Sequence, residues 1–327
     1  MRNVLVTGGT GFIGSNLAIA LVQRGCCVRI LRRPNSDLRA IGNAEVEHVI
    51  GDVRDPDSLR RAVQGCDTVF HTAALISHWR KERPLMYNIN IDGTRNVVQT
   101  CLELGVQKLI HTSSVATIGY ELDGRPATEA TSFNWQPFDI GYRISKFLSE
   151  QEILRGIRLG LPAVMVNPSV VIGPRDIHFH GGRMIRDIYR KRIFYYIAGG
   201  MNIVYIDDVV RGHLAAVEKG RIGERYILCG ENLTYKEVFA TTARIVGGIA
   251  PLLRLPTAGA KVVAAAVDAA ARLVHQRPWV SRELVAGIEI QNWFSCKKAE
   301  RELGYSATPF EEAVKKTFSW YRNNNLL

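Results

Sequence analysis

The chain has 327 residues, of which 46% are apolar and 22% charged, enough to bury a sizeable core and too apolar for a disordered polypeptide. Its 42 Lys and Arg against 31 Asp and Glu give a formal charge of +11, but they form no dense basic tract, so a generally basic surface is expected and nucleic-acid binding is not. No stretch is long and uncharged enough to span a bilayer, the N-terminus lacks a signal-peptide pattern, and the six cysteines contain no C-x-x-C pair, so a cytoplasmic chain with free thiols, no bound metal and no integral membrane association is expected.

The first predicted element is the apolar run Val4 to Val6, a short buried strand. Gly8, Gly11 and Gly14 follow it, and Ile13, Leu17 and Leu21 then recur at helical spacing as far as Gly25. Strand, glycine turn, helix is the order a phosphate site needs, because glycine lets the backbone approach a pyrophosphate and a helix N-terminus offers free N–H groups. The same spacing also suits a simple tight turn, and only the downstream chain separates the two readings. Further strands are expected at Val28 to Leu31, Val46 to Ile50, Thr68 to Thr72, Lys108 to Thr112 and Ala163 to Val166, each separated from the next by a helix. In "DPDSLRRAVQG" Asp57 is the expected N-cap and Gly65 the terminator; "GTRNVVQTCLELG" places Val97, Cys101 and Leu104 on one face and ends at Gly105. This alternation predicts an α/β fold, a Rossmann-type doubly wound parallel sheet with helices on both faces. Gly8, Asp52, Thr72, Ser113, Ser114 and Asn167 would all lie at the C-terminal strand ends, where such sheets bind ligands. Beyond Pro168 the alternation fades into a smaller C-terminal lobe, in which the Ala-rich stretch 258–274 reads as a well-packed helix.

"GYRISKFLSEQEIL" puts Tyr142 and Lys146 four residues apart on a predicted helix, so both project from one face. An ammonium close to a phenol favours the phenolate and lowers its pKa, which suits the phenol to general acid or base work. In "LIHTSSVATIG" a strand ends in Ser113 and Ser114, either of which could hydrogen-bond a substrate oxygen.

Taken in this order, the glycine loop, strand-end serines and Tyr/Lys pair resemble the extended short-chain dehydrogenase/reductase family of the NAD-dependent epimerase/dehydratase superfamily. The resemblance covers most of the chain and includes "GDVRD" at 51–55, "HTAA" at 71–74, "NIDGTRNV" at 90–97, "NPSVVIGPRD" at 167–176 and "VYIDDVV" at 204–210. It implies that Tyr142 is the acid/base, that Lys146 lowers its pKa and holds the nicotinamide ribose, and that Ser114, in preference to Ser113, orients the substrate oxygen. It places Gly8, Thr10, Gly11, Phe12, Ile13 and Gly14 around the pyrophosphate. Asp52 and Val53 would meet the adenine, and Thr72, Ala73 and Ala74 would pass beneath the middle of the cofactor. Thr112, Asn167, Pro168 and Ser169 would approach the nicotinamide end, while Asn90 would be structural. The family's acidic position, eighteen residues after the third glycine, is occupied by Arg32, with Arg33 beside it. Guanidinium groups pair with a 2′-phosphate, so NADP(H) is expected ahead of NAD(H).

The resemblance also implies a cofactor-binding domain at 1–172, to which 201–228 returns through a structural Asp207–Asp208 segment, and a substrate lobe at 173–327. His71 and His111 read as satisfied sheet histidines, while His178 and His180 read as residues flanking the cleft, with no third metal ligand. "GGMNIVYIDD" is uncharged where nucleotide-sugar enzymes carry an Arg-Asp-Phe step, and so resembles the dihydroflavonol-reductase and 3β-hydroxysteroid-dehydrogenase branch, including bacterial hopanoid-associated sugar epimerase-like proteins. The expected reaction is reduction of a ketone or aldehyde, or oxidation of the alcohol, on a small organic substrate. A sugar or nucleotide-sugar epimerase or dehydratase is the alternative. A homodimer is expected through the apolar faces around Val97 to Leu104 and Phe147 to Leu154.

Overall fold

In the computed structural model, which describes residues 1–273, 276–278 and 280–327 apart from the side chain of Arg272, the chain opens with β1 (Asn3–Thr7), α1 (Phe12–Gln23), β2 (Cys27–Arg32), β3 (Glu47–Ile50), α2 (Pro56–Val63) and β4 (Thr68–His71). It continues through α3 (Arg83–Tyr87), α4 (Gly93–Glu103), β5 (Lys108–Thr112), α5 (Gly141–Arg158), β6 (Ala163–Pro168), β7 (Val170–Ile172), α6 (Arg183–Tyr189), β8 (Tyr195–Tyr196) and β9 (Gly200–Tyr205). It ends with α7 (Ile206–Lys219), β10 (Arg225–Leu228), β11 (Glu231–Thr234), α8 (Tyr235–Val246), β12 (Leu253–Arg254), α9 (Thr257–Leu273), α10 (Arg282–Val285), α11 (Lys297–Leu303) and α12 (Phe310–Asn323).

The main sheet is parallel throughout, in the order β3-β2-β1-β4-β5-β6-β10, as the alternation predicts. Its central strands β1, β4, β5 and β6 have apolar, buried middles because both faces are covered. In β1, Val4 and Val6 join the core beneath α1 and α7, whereas Leu5 joins the opposite core with Leu59 of α2, Val97 of α4 and Ile153 of α5. Strand order reverses between β1 and β4, and this switch point opens a crevice at their C-terminal ends. Outside the main sheet β7 pairs in parallel with β9, β11 lies antiparallel on β9, and β8 pairs with β12.

Several local expectations change. The cap of α2 is Asp55, whose carboxylate accepts from Asp57 N at 3.1 Å, and Pro56 occupies the first turn, where its missing N–H costs nothing. Helical backbone before α4 starts at Arg83 and runs through a π-turn at Asn88–Asp92, so Gly93 lies within a longer helical run. Val97 and Cys101, expected at a dimer face, are fully buried against α2 and α5; Leu104 and Leu148 remain exposed. The helix α9 buries Ala264 and Ala271 but exposes Val262, Val263 and Leu273, so only one face is packed; Val274 lies outside the described residues. All six cysteines are free, and among the described residues no helix is long and apolar enough to cross a membrane.

Candidate active site

Strand β1 runs directly into Gly8, at φ +69°, and a Cβ there would stand 2.8 Å from Ala73 Cα. At Gly14 a Cβ would meet Gly8 O at 2.2 Å and Thr72 Oγ1 at 2.7 Å. These two glycines let the loop pack on the end of β4. Gly11 differs, since a Cβ there would meet only Gly8 O, at 3.2 Å. Gly11 is also the N-cap of α1 and supplies no side-chain cap, which leaves the first-turn N–H groups available to an anion.

The loop forms one end of a cleft of about 520 Å³, where Gly8, Gly11, Phe12, Ile13 and Gly14 all line the wall. Thr72, Ala74, Thr112, Ser114, Tyr142, Lys146, Pro168 and Ser169 line its middle. The second lobe closes the other end with Met201, Leu284, Ile288 and Phe294.

In the middle of the cleft the Ser114 side chain and the Tyr142 phenol stand close enough for the serine to act on the phenol's ionisation. Burial raises the Tyr142 pKa above its ordinary value, opposed by Ser114 and by the Arg143 charge. Lys146 takes no part in that balance, contrary to the sequence expectation. Its ammonium donates instead to Thr112 O at 2.8 Å, and burial brings its own pKa down to about 8, with Glu150 acting in the opposite sense. Thr112 is held in turn by His213. Nδ1 of that imidazole donates to Val209 O at 2.7 Å, so Nε2 accepts from Thr112 Oγ1 at 2.8 Å, and burial keeps the ring neutral with a pKa of about 4.

The two serines separate cleanly. Ser113 is buried, its N–H donates to Val166 O at 2.8 Å, and its hydroxyl has no partner among the described residues. Ser114 Oγ accepts from Ala116 N at 3.1 Å and faces the phenol. Asn167, expected beside the nicotinamide, is not among the residues that line the cleft, and its buried Oδ1 has no partner among the described residues. Its Nδ2 donates to Ser114 O at 3.1 Å, Thr117 Oγ1 at 3.0 Å and Glu150 Oε1 at 2.7 Å, which makes it a support for the serine turn. Asn90 is structural, accepting from Leu75 N at 2.8 Å and donating to Ser145 Oγ at 2.9 Å.

The residues expected at the adenosine end stand outside this cleft. Arg32 closes β2, with Nε donating to His48 Nδ1 at 2.9 Å and Nη1 to Pro34 O at 3.2 Å, and Arg33 is exposed; Thr10, expected at the pyrophosphate, is partly exposed and does not line the cleft either. Asp52 is ion-paired to Arg54 at 2.8 Å, which lowers its pKa, and Val53 is buried against Gly93. Ala73 supports Gly8 from below.

The other histidines and carboxylates sort by burial. His71 bridges Thr7 and Thr94 inside the sheet, at 2.8 and 3.0 Å, and burial lowers its pKa to about 3. His111 bonds Ser149 at 3.1 Å. His180 lines the cleft, whereas His178 is half exposed and 4.0 Å from Asp37. Asp208 is fully buried and accepts from Thr308 N at 2.7 Å, Thr308 Oγ1 at 2.8 Å and Arg211, tying α7 to the segment before α12. Among the described residues no group of three His, Cys, Asp or Glu is placed to hold a metal.

Sequence reasoning passed over Arg143, His78, Tyr235 and Asn292, all of which line the cleft. Only Arg143 carried a local signal, as the residue following Tyr142.

A sequence model described as the NAD dependent epimerase/dehydratase family matches residues 4–229. The chain belongs to that family. It is 34% identical to a putative dihydroflavonol 4-reductase of Synechocystis, over 98% of this chain and 94% of that protein. It is 31% identical to sterol demethylase protein B of Methylococcus capsulatus, over 99% of both. The crystal structure of gox2253 matches this family member with a TM-score of 0.88 at 40% identity, over 100% of both chains.

Proposed function

We propose that this protein is an NADP(H)-dependent oxidoreductase that interconverts a ketone or aldehyde and its alcohol on an organic substrate. The observation that carries this reading is the convergence of the Ser114 and Tyr142 side chains in a cleft whose far end is an uncapped helix N-terminus behind a glycine loop. The residues present fit a dinucleotide. Gly11 leaves room for a phosphate to approach, the first-turn N–H groups of α1 would hold it, and Thr72, Ala74, Pro168 and Ser169 line the path toward Tyr142. Arg32, standing where an acidic residue would repel a 2′-phosphate, and the exposed Arg33 support NADP(H).

When bound, the nicotinamide would supply or accept a hydride. Ser114 would orient the substrate oxygen, and the Tyr142 phenol would give that oxygen its proton in reduction and take it back in oxidation. Lys146, mostly protonated at pH 7 with its pKa near 8, would hold the nicotinamide ribose hydroxyls beside the phenol. Family members that epimerise sugars use comparable hydride machinery. The uncharged Met201-Asn202-Ile203 stretch and the apolar wall of Leu284, Ile288 and Phe294 favour a carbonyl reductase over a sugar-nucleotide enzyme. The six free thiols suit a cytoplasmic setting, and outward Leu104 at the end of α4 and Leu148 on α5 suit self-association.

The test is Tyr142→Phe, assayed on a panel of ketones and aldehydes with NADPH and NADH. Turnover should fall about 10²- to 10⁴-fold, the usual contribution of a general acid, while NADPH still binds. Near-normal turnover would overturn the assignment, and copurification of tightly bound oxidised cofactor would favour the epimerase.

A further inference from the structure

Arg143 follows Tyr142 in α5 and turns toward the second lobe. Its guanidinium carbon lies 3.6 Å from the centre of the Trp135 ring, and Nη2 donates to Asn292 Oδ1 at 2.7 Å. Nη1 is buried and has no hydrogen-bond partner among the described residues. The groups around the guanidinium are an indole, a carboxamide and the phenols of Tyr142 and Tyr235, all uncharged near neutral pH. The one carboxylate lining the cleft, Glu283, is already committed, accepting from Arg83 at 2.5 Å and from Gly141 N at 2.9 Å. Burial lowers the Arg143 pKa to about 10, so the group remains a cation at pH 7.

A cation partly withdrawn from water without a counter-charge is costly, and the usual remedy is a carboxylate that satisfies the guanidinium fork. Two further features give the missing partner its shape. His78 approaches Tyr142 edge-on with ring centroids 6.3 Å apart, and its Nδ1 is likewise buried without a partner among the described residues. Its pKa of about 4 makes it a neutral hydrogen-bonding group at pH 7. Beyond these polar atoms the wall is apolar, with Ile76, Met201, Leu284, Ile288 and Phe294.

We infer that the substrate half of the cleft takes an organic acid: an apolar body whose carboxylate pairs with the Arg143 guanidinium, with the neutral imidazole of His78 beside it. The reacting carbonyl or alcohol carbon sits at Tyr142 and Ser114. The inference rests on the oxidoreductase reading for the identity of that carbon, but not for the binding of the acid. Because Arg143 and Tyr142 are consecutive on one helix, the acid group and the reacting carbon belong to the same part of the molecule. Arg143 is a specificity-determining residue here, acting through substrate position and not through proton transfer.

The test pairs each acid with its uncharged ester. By titration calorimetry, with and without NADP+, 4-phenylbutanoate should bind the wild type at least 10-fold more tightly than its methyl ester. In turnover, 4-oxo-4-phenylbutanoate should exceed its methyl ester in kcat/KM by a similar factor, expressed mainly in KM. Arg143→Met should bring both ratios close to 1, and Arg143→Lys, which keeps the charge but loses the fork, should restore part of them. Tyr142→Phe should retain the acid preference in binding. If the acid binds preferentially but no carbonyl is turned over, the oxidoreductase reading fails and the acid subsite stands. If carbonyls are reduced but wild type binds acid no better than ester, or Arg143→Met keeps the preference, the subsite is overturned. The wild-type acid-to-ester comparison decides the matter even where Arg143→Met does not fold.

Discussion

Removing the Lys146 ammonium should make the protein more stable at neutral pH and less stable in strong base. Lys146 is 2% exposed, and burial brings its pKa from 10.5 down to about 8. A gap of about 2.5 pH units at 1.36 kcal/mol each corresponds to about 3 kcal/mol of destabilisation by the buried charge. The sign follows from proton counting. Below pH 8 the lysine is protonated in both the native and the unfolded chain, so the native state carries the whole cost. Between pH 8 and 10.5 the native state releases a proton that the unfolded chain keeps, so stability rises with pH; above 10.5 the cost is gone. Lys146→Met keeps most of the stem and removes the charge, but loses the 2.8 Å bond to Thr112 O, which is worth about 1 kcal/mol. The variant should therefore exceed wild type by about 2 kcal/mol at pH 7 and fall below it by about 1 kcal/mol near pH 10.5. Urea unfolding of both proteins at pH 7, 9 and 10.5 reads this difference, since the other titrating groups are common to the pair. A difference that does not change with pH, or a variant already less stable at pH 7, would refute the assignment of a buried ammonium.

Two glycines of the loop should respond differently to alanine. Gly14→Ala forces a Cβ to within 2.2 Å of Gly8 O, so urea unfolding should show a loss of about 3 kcal/mol, at the upper end for overpacking. Gly11 has φ −82°, and a Cβ there would meet one atom, Gly8 O at 3.2 Å, so Gly11→Ala should cost about 1 kcal/mol in folding while weakening NADPH binding about 10-fold by titration; equal destabilisation of the two variants would contradict the loop geometry. Asp208→Ala leaves Thr308 N and Arg211 without their acceptor and should lower stability by about 3 kcal/mol, visible as a fall in the urea midpoint; an unchanged midpoint would remove its role as the tie to α12. Arg32→Glu should lower the ratio of kcat/KM for NADPH over NADH by about 10- to 100-fold, the value of one or two charge-assisted bonds, and an unchanged ratio would show that Arg32 does not read the 2′-phosphate.

The parts of this molecule that can be read from the chain are those set by neighbours in sequence. Strands β1, β2, β4, β5 and β6 announce themselves because a sheet covered on both faces needs continuous apolar runs, and the Tyr142–Lys146 spacing follows from one helical turn. The glycine loop stands out for a similar local reason, although Gly8 and Gly14 are required by close packing on Ala73 and Thr72, whereas a Cβ at Gly11 would meet only Gly8 O, at 3.2 Å. What the chain conceals are charges whose partners arrive from far away. Lys146 lies four residues from Tyr142, which suggests an acidified phenol, yet its proton goes to Thr112 O at the end of β5, and the phenol answers instead to Ser114 and Arg143. Asn167 ends a strand that points at the cleft, but the buried carboxylate of Glu150 draws its amide the other way. Val97 and Cys101 form an apolar stripe that two copies of the chain could share, until α2 and α5 cover it from within. Arg143 is the strongest case. Beside Tyr142 it looks like one more surface cation on an amphipathic helix, and it becomes informative only once Trp135 and Asn292, which is 149 residues downstream, enclose it without offering a negative charge. Periodicity reports which side chains leave water, whereas the state of an ionisable group depends on what it meets after leaving, and here those encounters join residues from opposite ends of the chain.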